Sequence, residues 1–207
     1  MEDYDQKIER IKQWLGTGSI NIFGRPFAGK DTQAERIAQL LGGVQLGGGH
    51  ILRNSSIPDN TKAIMETGAL IPSDAYVDIV LPYLSSDEFS NRPLILSSVG
   101  RMDGEQHGVI QATHAAHHPL KAVIYLDIDE DTVHHRWHVL HTINQRGRER
   151  EDDSLHLLDT RLEWFRMHTL PVIKYYRENG LCIDIDGHHS EDDVTVLIVD
   201  MLAKHAS

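Results

Sequence analysis

The sequence predicts an α/β fold in which helices cover both faces of a parallel sheet, and two observations predict it. Short apolar runs of strand length alternate with longer stretches of helical periodicity; the runs are "SINIF", "RPLILSS", "KAVIYLDI" and "GLCIDID". A glycine-rich turn ending in a lysine lies between the first run and the helical stretch that follows it. Alternation of this kind favours parallel strands joined by helical crossovers.

Composition limits what the chain can bind. Its 207 residues are enough for one sizeable core, and the net charge of -11 disfavours sequence-independent binding to nucleic acid. The one cysteine, Cys182, has no partner within the chain, which is typical of a reducing compartment. The N-terminus is acidic, and no run approaches the ~18 apolar residues of a membrane span. We therefore expect a cytoplasmic protein that binds neither nucleic acid nor membrane.

The elements divide into a leading helix and one main domain. Residues 1–18 predict an N-terminal helix, because apolar side chains recur at helical spacing until "GTGS" ends the pattern. The main domain covers residues 19–207. Within it, residues 48–84 predict a helical insert, and the arginine-rich stretch near residues 142–151 predicts a short exposed loop. Pro171 lies inside the last long helical stretch and predicts a kink there.

The glycine-rich turn has the pattern of a phosphate-binding loop. Gly24-Arg-Pro-Phe-Ala-Gly29-Lys30 satisfies G-x-x-x-x-G-K, follows an apolar strand and opens a helix. In such a loop, backbone N–H groups and the helix N-terminus bind phosphate oxygens, and the lysine reaches the outer phosphates. This context predicts a fold of the P-loop NTPase type whose turn binds phosphate. The candidate residues for that binding are Gly24, Ala28, Gly29, Lys30, Asp31 and Thr32.

The stretch "GRPFAGKDTQAERIA" resembles the opening of adenylate kinases and related nucleoside monophosphate kinases, G-x-P-G-x-G-K-G-T-Q-A. Further motifs follow in the order of that family. "GGGHILR" is similar to T-G-D-x-L-R, "IMETGALIP" to M-x-x-G-x-L-V-P, and "LSSVGR" to L-D-G-F-P-R. "REDDSLHLLDTRLEWFRMHTLPVIKYY" is similar to R-x-D-D, a later R-L, and then P-L-I-x-Y-Y. The resemblance covers about residues 19–204 and leaves the N-terminal helix outside.

The resemblance implies transfer of a phosphoryl group from ATP to a nucleoside monophosphate, with Mg²⁺ and with AMP favoured, by a monomer. It also implies that the candidate phosphate-binding residues of the turn bind ATP. The insert would bind the acceptor, and the loop would belong to a short lid, about residues 137–151. The residues implied in catalysis are Lys30, Arg101, Arg136, Arg150 and Arg161. Those implied in binding the monophosphate are Gly48, Arg53, Leu70, Ile71, Arg101 and Gln106. Such transfer needs two nucleotides in line and positive charge around the moving group, so several arginines are chemically reasonable.

Two departures from the family pattern concern the metal. The glycine after the loop lysine is Asp31 here, and the aspartate of D-G-F-P-R is Ser97. We hypothesise that Asp31, with Thr32 beside it, supplies the Mg²⁺ contact that Ser97 cannot make, directly or through water. The alternatives are that Asp31 caps the helix and turns outward, or that it repels phosphate in a decayed site.

Other departures concern the loop and the acceptor. Phe27 replaces a family glycine, so we expect its backbone to avoid positive φ. T-G-D becomes Gly48-Gly49-His50, which removes a threonine and a carboxylate. Where the family places a glutamine that reads adenine, Glu105 has the usual offset, and Gln106 fits only after a shift of one residue. A carboxylate accepts hydrogen bonds only, whereas a glutamine both donates and accepts, so this position bears on which base is bound.

Neither cysteine nor histidine predicts a structural metal. A single cysteine cannot supply a four-cysteine zinc set, so we expect no zinc in the lid. His134, His138 and His141 share a helix face, which we interpret as a solvated surface because no cysteine or carboxylate stands in clear ligand spacing.

Two other functions stay open at this point. The chain could be a nucleotide-binding module, acting as a sensor or partner, that keeps the fold but has lost efficient transfer. The changes at Ser97, Gly100, Gly48 and His50 favour that interpretation, and the retained lysine and arginines oppose it. It could also be a kinase for another small acceptor, since the acceptor side departs more than the lid side.

Overall fold

The computed structural model describes residues 3–55, 57, 59, 73–142 and 155–206. In this part of the chain five parallel strands form one sheet in the order β2-β3-β1-β4-β5. The strands are β1 Ser19–Gly24, β2 Val44–Gly47, β3 Leu94–Ser97, β4 Leu120–Asp127 and β5 Cys182–Asp186. This sheet with its helices confirms the predicted fold class.

Helices connect the strands, as parallel pairing requires. They are α1 Tyr4–Leu15, α2 Lys30–Leu41, α3 Gly48–Asn54, α4 Ser73–Leu84, α5 Glu105–Ala115, α6 Glu130–Thr142, α7 Leu155–Trp164, α8 Leu170–Glu178 and α9 Glu191–His205. A short 3₁₀ turn, Asp87–Phe89, precedes β3. Only parts of the predicted insert and lid lie within the described residues. None of the described helices is both long and apolar enough to cross a membrane.

Side chains of the central strands alternate between the two faces of the sheet. Ile20 and Ile22 of β1 pack in the cluster that contains the buried side chains of α1, α2 and α9, whereas Phe23 packs on the opposite face. β4 behaves in the same way, with Ile124 on the first face and Tyr125 on the second. This alternation is the period of two expected of strands, and it buries both faces of the sheet.

The fifth strand was not among the runs that the sequence predicted. β2 is four residues long, has glycines at both ends, and fully buries only Leu46. So short a segment carries no readable alternation. It is a strand because the edge of β3 offers hydrogen bonds, with Val44 aligned to Leu94 and Gly47 to Ser97.

The last long helical stretch is interrupted next to Pro171. Residues Phe165–Thr169 form a π-helical turn, and the Leu170 N–H donates to the Phe165 carbonyl five residues earlier. Proline lacks an N–H and collides with the preceding turn of an α-helix, so a widened turn accommodates it. The interruption predicted at Pro171 therefore takes the form of a π turn between α7 and α8.

Candidate active site

The candidate site lies at the carboxyl edge of the sheet. The central strand β1 runs into a tight turn, residues 24–30, which leads directly into α2. The strand order places β3 on one side of β1 and β4 on the other, because the chain goes from β1 to β2 on one side and crosses from β3 to β4 on the other. In open α/β sheets, ligands bind in the crevice outside the carboxyl ends of the strands at such a point.

Two glycines shape the turn. A side chain at Gly24 would place Cβ 2.8 Å from the Leu126 carbonyl oxygen and 2.9 Å from Ala28 Cβ, so only glycine fits against β4. Gly29 has φ +88° immediately before α2, a conformation that costs glycine little. The turn therefore presents backbone rather than side chains to a ligand at the N-terminus of a twelve-residue helix.

Phe27 does not behave as predicted. Its φ is +60°, so the expectation that a bulky residue here avoids positive φ was wrong. The loop keeps a left-handed turn at this position, and the half-buried ring packs against the core cluster that includes Ala28. Packing and contacts with neighbouring side chains hold a conformation that a phenylalanine would otherwise avoid.

Lys30 and Asp31 open α2 at the mouth of the turn. The Lys30 ammonium donates to the Arg25 carbonyl oxygen at 2.8 Å, which folds the lysine back over the loop. Asp31 Oδ1 accepts a hydrogen bond from Ser97 Oγ at 2.6 Å. Ser97 is the last residue of β3, so the carboxylate that α2 gained lies directly beside the position where the family motif has its own carboxylate.

Two of the predicted catalytic arginines converge on Phe27. Arg136, from α6, donates through Nη1 to the Phe27 carbonyl oxygen at 3.2 Å and through Nη2 to the Gly187 carbonyl oxygen at 2.6 Å. Arg161, from α7, places its guanidinium carbon 5.9 Å from the centroid of the Phe27 ring. The structure thus brings together side chains from positions 30, 136 and 161 around one loop, in a protein whose net charge is -11.

Three of the predicted acceptor residues, Gly48, Arg101 and Gln106, lie in segments that follow β2 and β3. A Cβ at Gly48 would approach the Ser98 carbonyl oxygen to 2.6 Å, so α3 begins in close contact with the segment after β3. The same segment leads to Arg101, whose side chain is exposed and whose carbonyl accepts from Thr169 Oγ1 at 3.1 Å. Gln106 is 4% exposed, and its Oε1 accepts from the Gly104 N–H at 2.6 Å.

Some predicted site residues lie outside the described residues. They are Leu70, Ile71 and Arg150, together with the side chain of Arg53. Their roles stay predictions. Of Arg53, only the backbone is described, and it lies in α3.

Arg25 is a charged residue of the loop that sequence reasoning did not select. Its Nη1 lies 2.9 Å from the Tyr125 hydroxyl, 3.1 Å from Asp127 Oδ1 and 2.7 Å from the Ile128 carbonyl oxygen. These contacts tie the phosphate loop to the end of β4. Asp127 could have been found from sequence, because it ends a predicted strand and the carboxyl ends of neighbouring parallel strands meet at one edge.

An acidic cavity of about 280 Å³ lies at the same edge, beyond β4. Its lining residues are Asp127, Asp184, Ile185, Asp186 and His188. The Asp186 carboxylate accepts from His188 Nδ1 at 2.6 Å and raises the pKa of that imidazole. Carboxylates repel phosphate, so the lining of this cavity does not suit a phosphate group. Among the described residues, no group of three or more His, Cys, Asp or Glu side chains is arranged to hold a metal ion.

A lysine-ended glycine turn between the central strand and a helix, at the carboxyl edge of a parallel sheet, defines a P-loop nucleotide-binding protein. Comparison with known proteins identifies the family. The family model described as adenylate kinase matches residues 22–181.

The curated relatives agree with the family model. The chain is 32% identical to an adenylate kinase of Nitrobacter winogradskyi over 84% of this chain and 87% of the relative. It is 32% identical to an adenylate kinase of Methylobacterium nodulans over 85% and 92%, respectively. It is 31% identical to adenylate kinase isoenzyme 1 of Caenorhabditis elegans over 90% and 88%. The chain therefore belongs to the adenylate kinase family, which confirms the resemblance seen in the motifs, and it is an enzyme of the phosphotransferase class.

Proposed function

We propose that this chain transfers the γ-phosphoryl group of ATP to a nucleoside monophosphate, with Mg²⁺ as cofactor and AMP as the favoured acceptor. The observation that carries the proposal is the convergence of Lys30, Arg136 and Arg161 on the phosphate loop. Phosphoryl transfer asks little covalent work of a protein, but it needs positioned nucleotides and positive charge around the moving group. A loop surrounded by three cationic side chains supplies that charge.

Each residue has a definite task under this proposal. Lys30 and the backbone N–H groups of residue 24 and residues 28–32 bind the phosphates of ATP, while Arg136 and Arg161 stabilise the charge of the transferring group. Arg150 completes that clamp from the lid. Arg53 and Arg101 hold the phosphate of the acceptor, and the predicted insert residues line its nucleoside. The attacking atom is an oxygen of the acceptor's own phosphate, so the chain supplies no general base.

The donor set at the loop fits Mg²⁺. This ion is commonly held by one or two carboxylates together with substrate phosphates, and it would neutralise part of the phosphate charge. We assign the protein's contact to Asp31, directly or through water, with the Thr32 hydroxyl beside it. The 2.6 Å hydrogen bond from Ser97 orients the Asp31 carboxylate, so Ser97 keeps a part in the site although it has no charge. Under this assignment, the start of α2 supplies the carboxylate that the family motif has at the end of β3.

This metal assignment can be tested by removing the carboxylate at position 31 and placing one at position 97. Asp31→Asn keeps an oxygen that can accept from Ser97 but removes the charge, and we expect it to weaken Mg²⁺ binding to the ATP complex by at least about ten-fold. Asp31→Asn combined with Ser97→Asp restores a carboxylate at β3 and should recover most of the affinity. Isothermal titration of Mg²⁺ into the ATP complex gives the affinities without depending on turnover. An Asp31→Asn variant with wild-type Mg²⁺ affinity and transfer would refute the assignment.

The acceptor is identified by a panel of substrates. ADP formation from ATP and Mg²⁺ should be measured with AMP, CMP, UMP, GMP and dTMP in turn, with Lys30→Ala as the blank. We expect turnover with AMP that disappears in the blank, because the lysine reaches the outer phosphates. ATP binding without turnover on any acceptor would point instead to a nucleotide-binding module or to an acceptor outside the panel.

The proposal also includes the domain organisation, the oligomeric state and the cellular location. Closure of the insert, about residues 48–84, and of the lid, about residues 137–151, excludes water that would otherwise accept the phosphoryl group. We further propose that the enzyme is a monomer of the cytoplasm. The single cysteine supports the cytoplasmic assignment, because unpaired thiols are typical of reducing compartments.

A further inference from the structure

The strained residue of the phosphate loop faces the two clamping arginines. Phe27 is one of four non-glycine residues with positive φ in the described part of the chain, and it occupies the position where the family motif has glycine. Glycine adopts this conformation readily, whereas phenylalanine does so at a cost in free energy. Loop geometry alone therefore does not explain a phenylalanine here.

The contacts of Phe27 indicate a reason. Its carbonyl oxygen accepts from Arg136 Nη1 at 3.2 Å, and its ring lies 5.9 Å from the guanidinium carbon of Arg161. These arginines come from different helices, α6 and α7, which precede and follow residues 143–154 in the sequence. One residue of the loop thus contacts both arginines through two different groups.

The elements behind these contacts are firmly packed. On α7, Leu158 and Leu162 are 1% and 2% exposed and belong to the core cluster against which the Phe27 ring packs. On α6, the Arg136 guanidinium also donates through Nη2 to the Gly187 carbonyl oxygen after β5, at 2.6 Å. The Arg136 guanidinium is therefore held from two sides, and Arg161 extends from a helix that is anchored in the core.

The chemistry of these contacts suits groups that must later bind phosphate. Two guanidinium groups and the Lys30 ammonium repel one another when no phosphate lies between them. A carbonyl oxygen and the face of an aromatic ring attract cations without neutralising them, and both hold them less strongly than a carboxylate or phosphate does. Neutral contacts can thus orient the arginines beforehand and release them to the transferring group.

We propose that Phe27 is a positioning residue, whose carbonyl oxygen and ring hold Arg136 and Arg161 at the mouth of the phosphate loop before nucleotide binds. This role rests on the proposed phosphoryl transfer. It distinguishes the chain from relatives with glycine at this position, whose loop offers the carbonyl but no ring. The ring contact with Arg161 is the part that substitution can remove.

A double-mutant cycle tests the role. Phe27→Leu keeps an apolar side chain and the carbonyl oxygen but removes the ring, and we expect kcat to fall about two- to five-fold with the KM for ATP unchanged. The size follows from the strength of a partly exposed cation–π contact. In an Arg161→Ala background, Phe27→Leu should have no further effect on kcat, because the arginine through which it acts is gone. Phe27→Tyr retains a ring and should restore most of the lost rate.

Two controls separate this role from folding and from the proposed function. Thermal unfolding of each variant tests for loss of structure, and Phe27→Met replaces the leucine variant if leucine proves unstable. An equal loss of kcat in both backgrounds, or no loss in either, overturns the positioning role while wild-type turnover leaves the transferase intact. Absence of wild-type turnover with every acceptor overturns both the proposed function and the role of Phe27.

Discussion

Glu105 places a buried carboxylate beside the loop that carries Arg101. Its side chain is 6% exposed, and Oε2 accepts from the Met102 N–H at 3.1 Å. Burial raises the pKa of this carboxyl, and the hydrogen bond from Met102 opposes the shift without cancelling it. Because the folded-state pKa lies above the unfolded one, the fold favours the neutral acid.

We predict that Glu105→Gln stabilises the protein at pH 8 and that the gain shrinks as the pH falls. The neutral Glu105 carboxyl makes its full contribution to the stability of the fold below the unfolded pKa. That stability is lost as the pH rises through the raised folded pKa and the buried group ionises, whereas glutamine carries no charge at any pH. The variant should therefore unfold a few degrees higher than wild type at pH 8 and match it near pH 4 to 5. Thermal unfolding across that range measures the difference. The exposed Glu163→Gln is the control, and a constant offset at all pH values would contradict the prediction.

At the scale of elements, a buried amide joins β1 to the segment that follows β3. Asn21 has no solvent exposure, its Nδ2 donates to the Val99 carbonyl oxygen at 2.7 Å, and its Oδ1 accepts from the Val99 N–H at 3.3 Å. Val99 precedes Arg101 by two residues. The amide therefore satisfies two buried backbone groups and holds the start of the segment that presents the predicted acceptor arginine.

We predict that Asn21→Ala destabilises the fold by about 2–4 kcal/mol, because both backbone groups of Val99 lose their partner. It should also raise the KM for the acceptor more than the KM for ATP. Ser19, the first residue of β1, offers a matched control, since its buried hydroxyl donates to the His118 carbonyl oxygen at 2.9 Å. Ser19→Ala should cost about 1 kcal/mol and leave both KM values unchanged. Urea unfolding and steady-state kinetics measure the two effects, and equal KM shifts in both variants would argue against the coupling to Arg101.

At the scale of the whole molecule, the N-terminal helix belongs to the main core. Ile8, Ile11 and Leu15 of α1 lie in the same buried cluster as residues of β1 and β4. The Lys7 ammonium lies 2.7 Å from the Asp200 carboxylate of α9, which adds an ion pair at the edge of that contact. α1 lies outside the motif resemblance but is a structural part of the domain.

We predict that Ile11→Ala lowers the free energy of unfolding of the whole domain by about 2–5 kcal/mol, since its side chain is fully buried. Lys12→Ala, on the same helix, breaks only an exposed ion pair with Glu9 and should change stability by less than about 1 kcal/mol. A single cooperative urea transition, shifted in the first variant and unshifted in the second, is the expected result. A separate early transition in Ile11→Ala would show that α1 unfolds independently.

The sequence by itself determined the parallel α/β fold, the phosphate loop and the family. These features depend on local periodicity and on spacing within short motifs, which can be read along the chain. It failed at β2, because a four-residue strand between glycines has no readable period and exists through pairing with β3. It also failed at the backbone of Phe27, where local preference for negative φ was outweighed by packing and by the geometry of the loop.

Only the tertiary structure decided which distant residues meet. Asp31 and Ser97 are 66 positions apart and share a hydrogen bond. They meet because α2 follows β1, and the end of β1 lies beside the end of β3 in the sheet. Arg136 lies 109 positions from Phe27 and reaches its carbonyl oxygen because α6 follows β4, the other neighbour of β1. Motif spacing along the chain identifies candidate residues, but strand order and helix packing determine their contacts, because those contacts form only when the whole sheet has assembled.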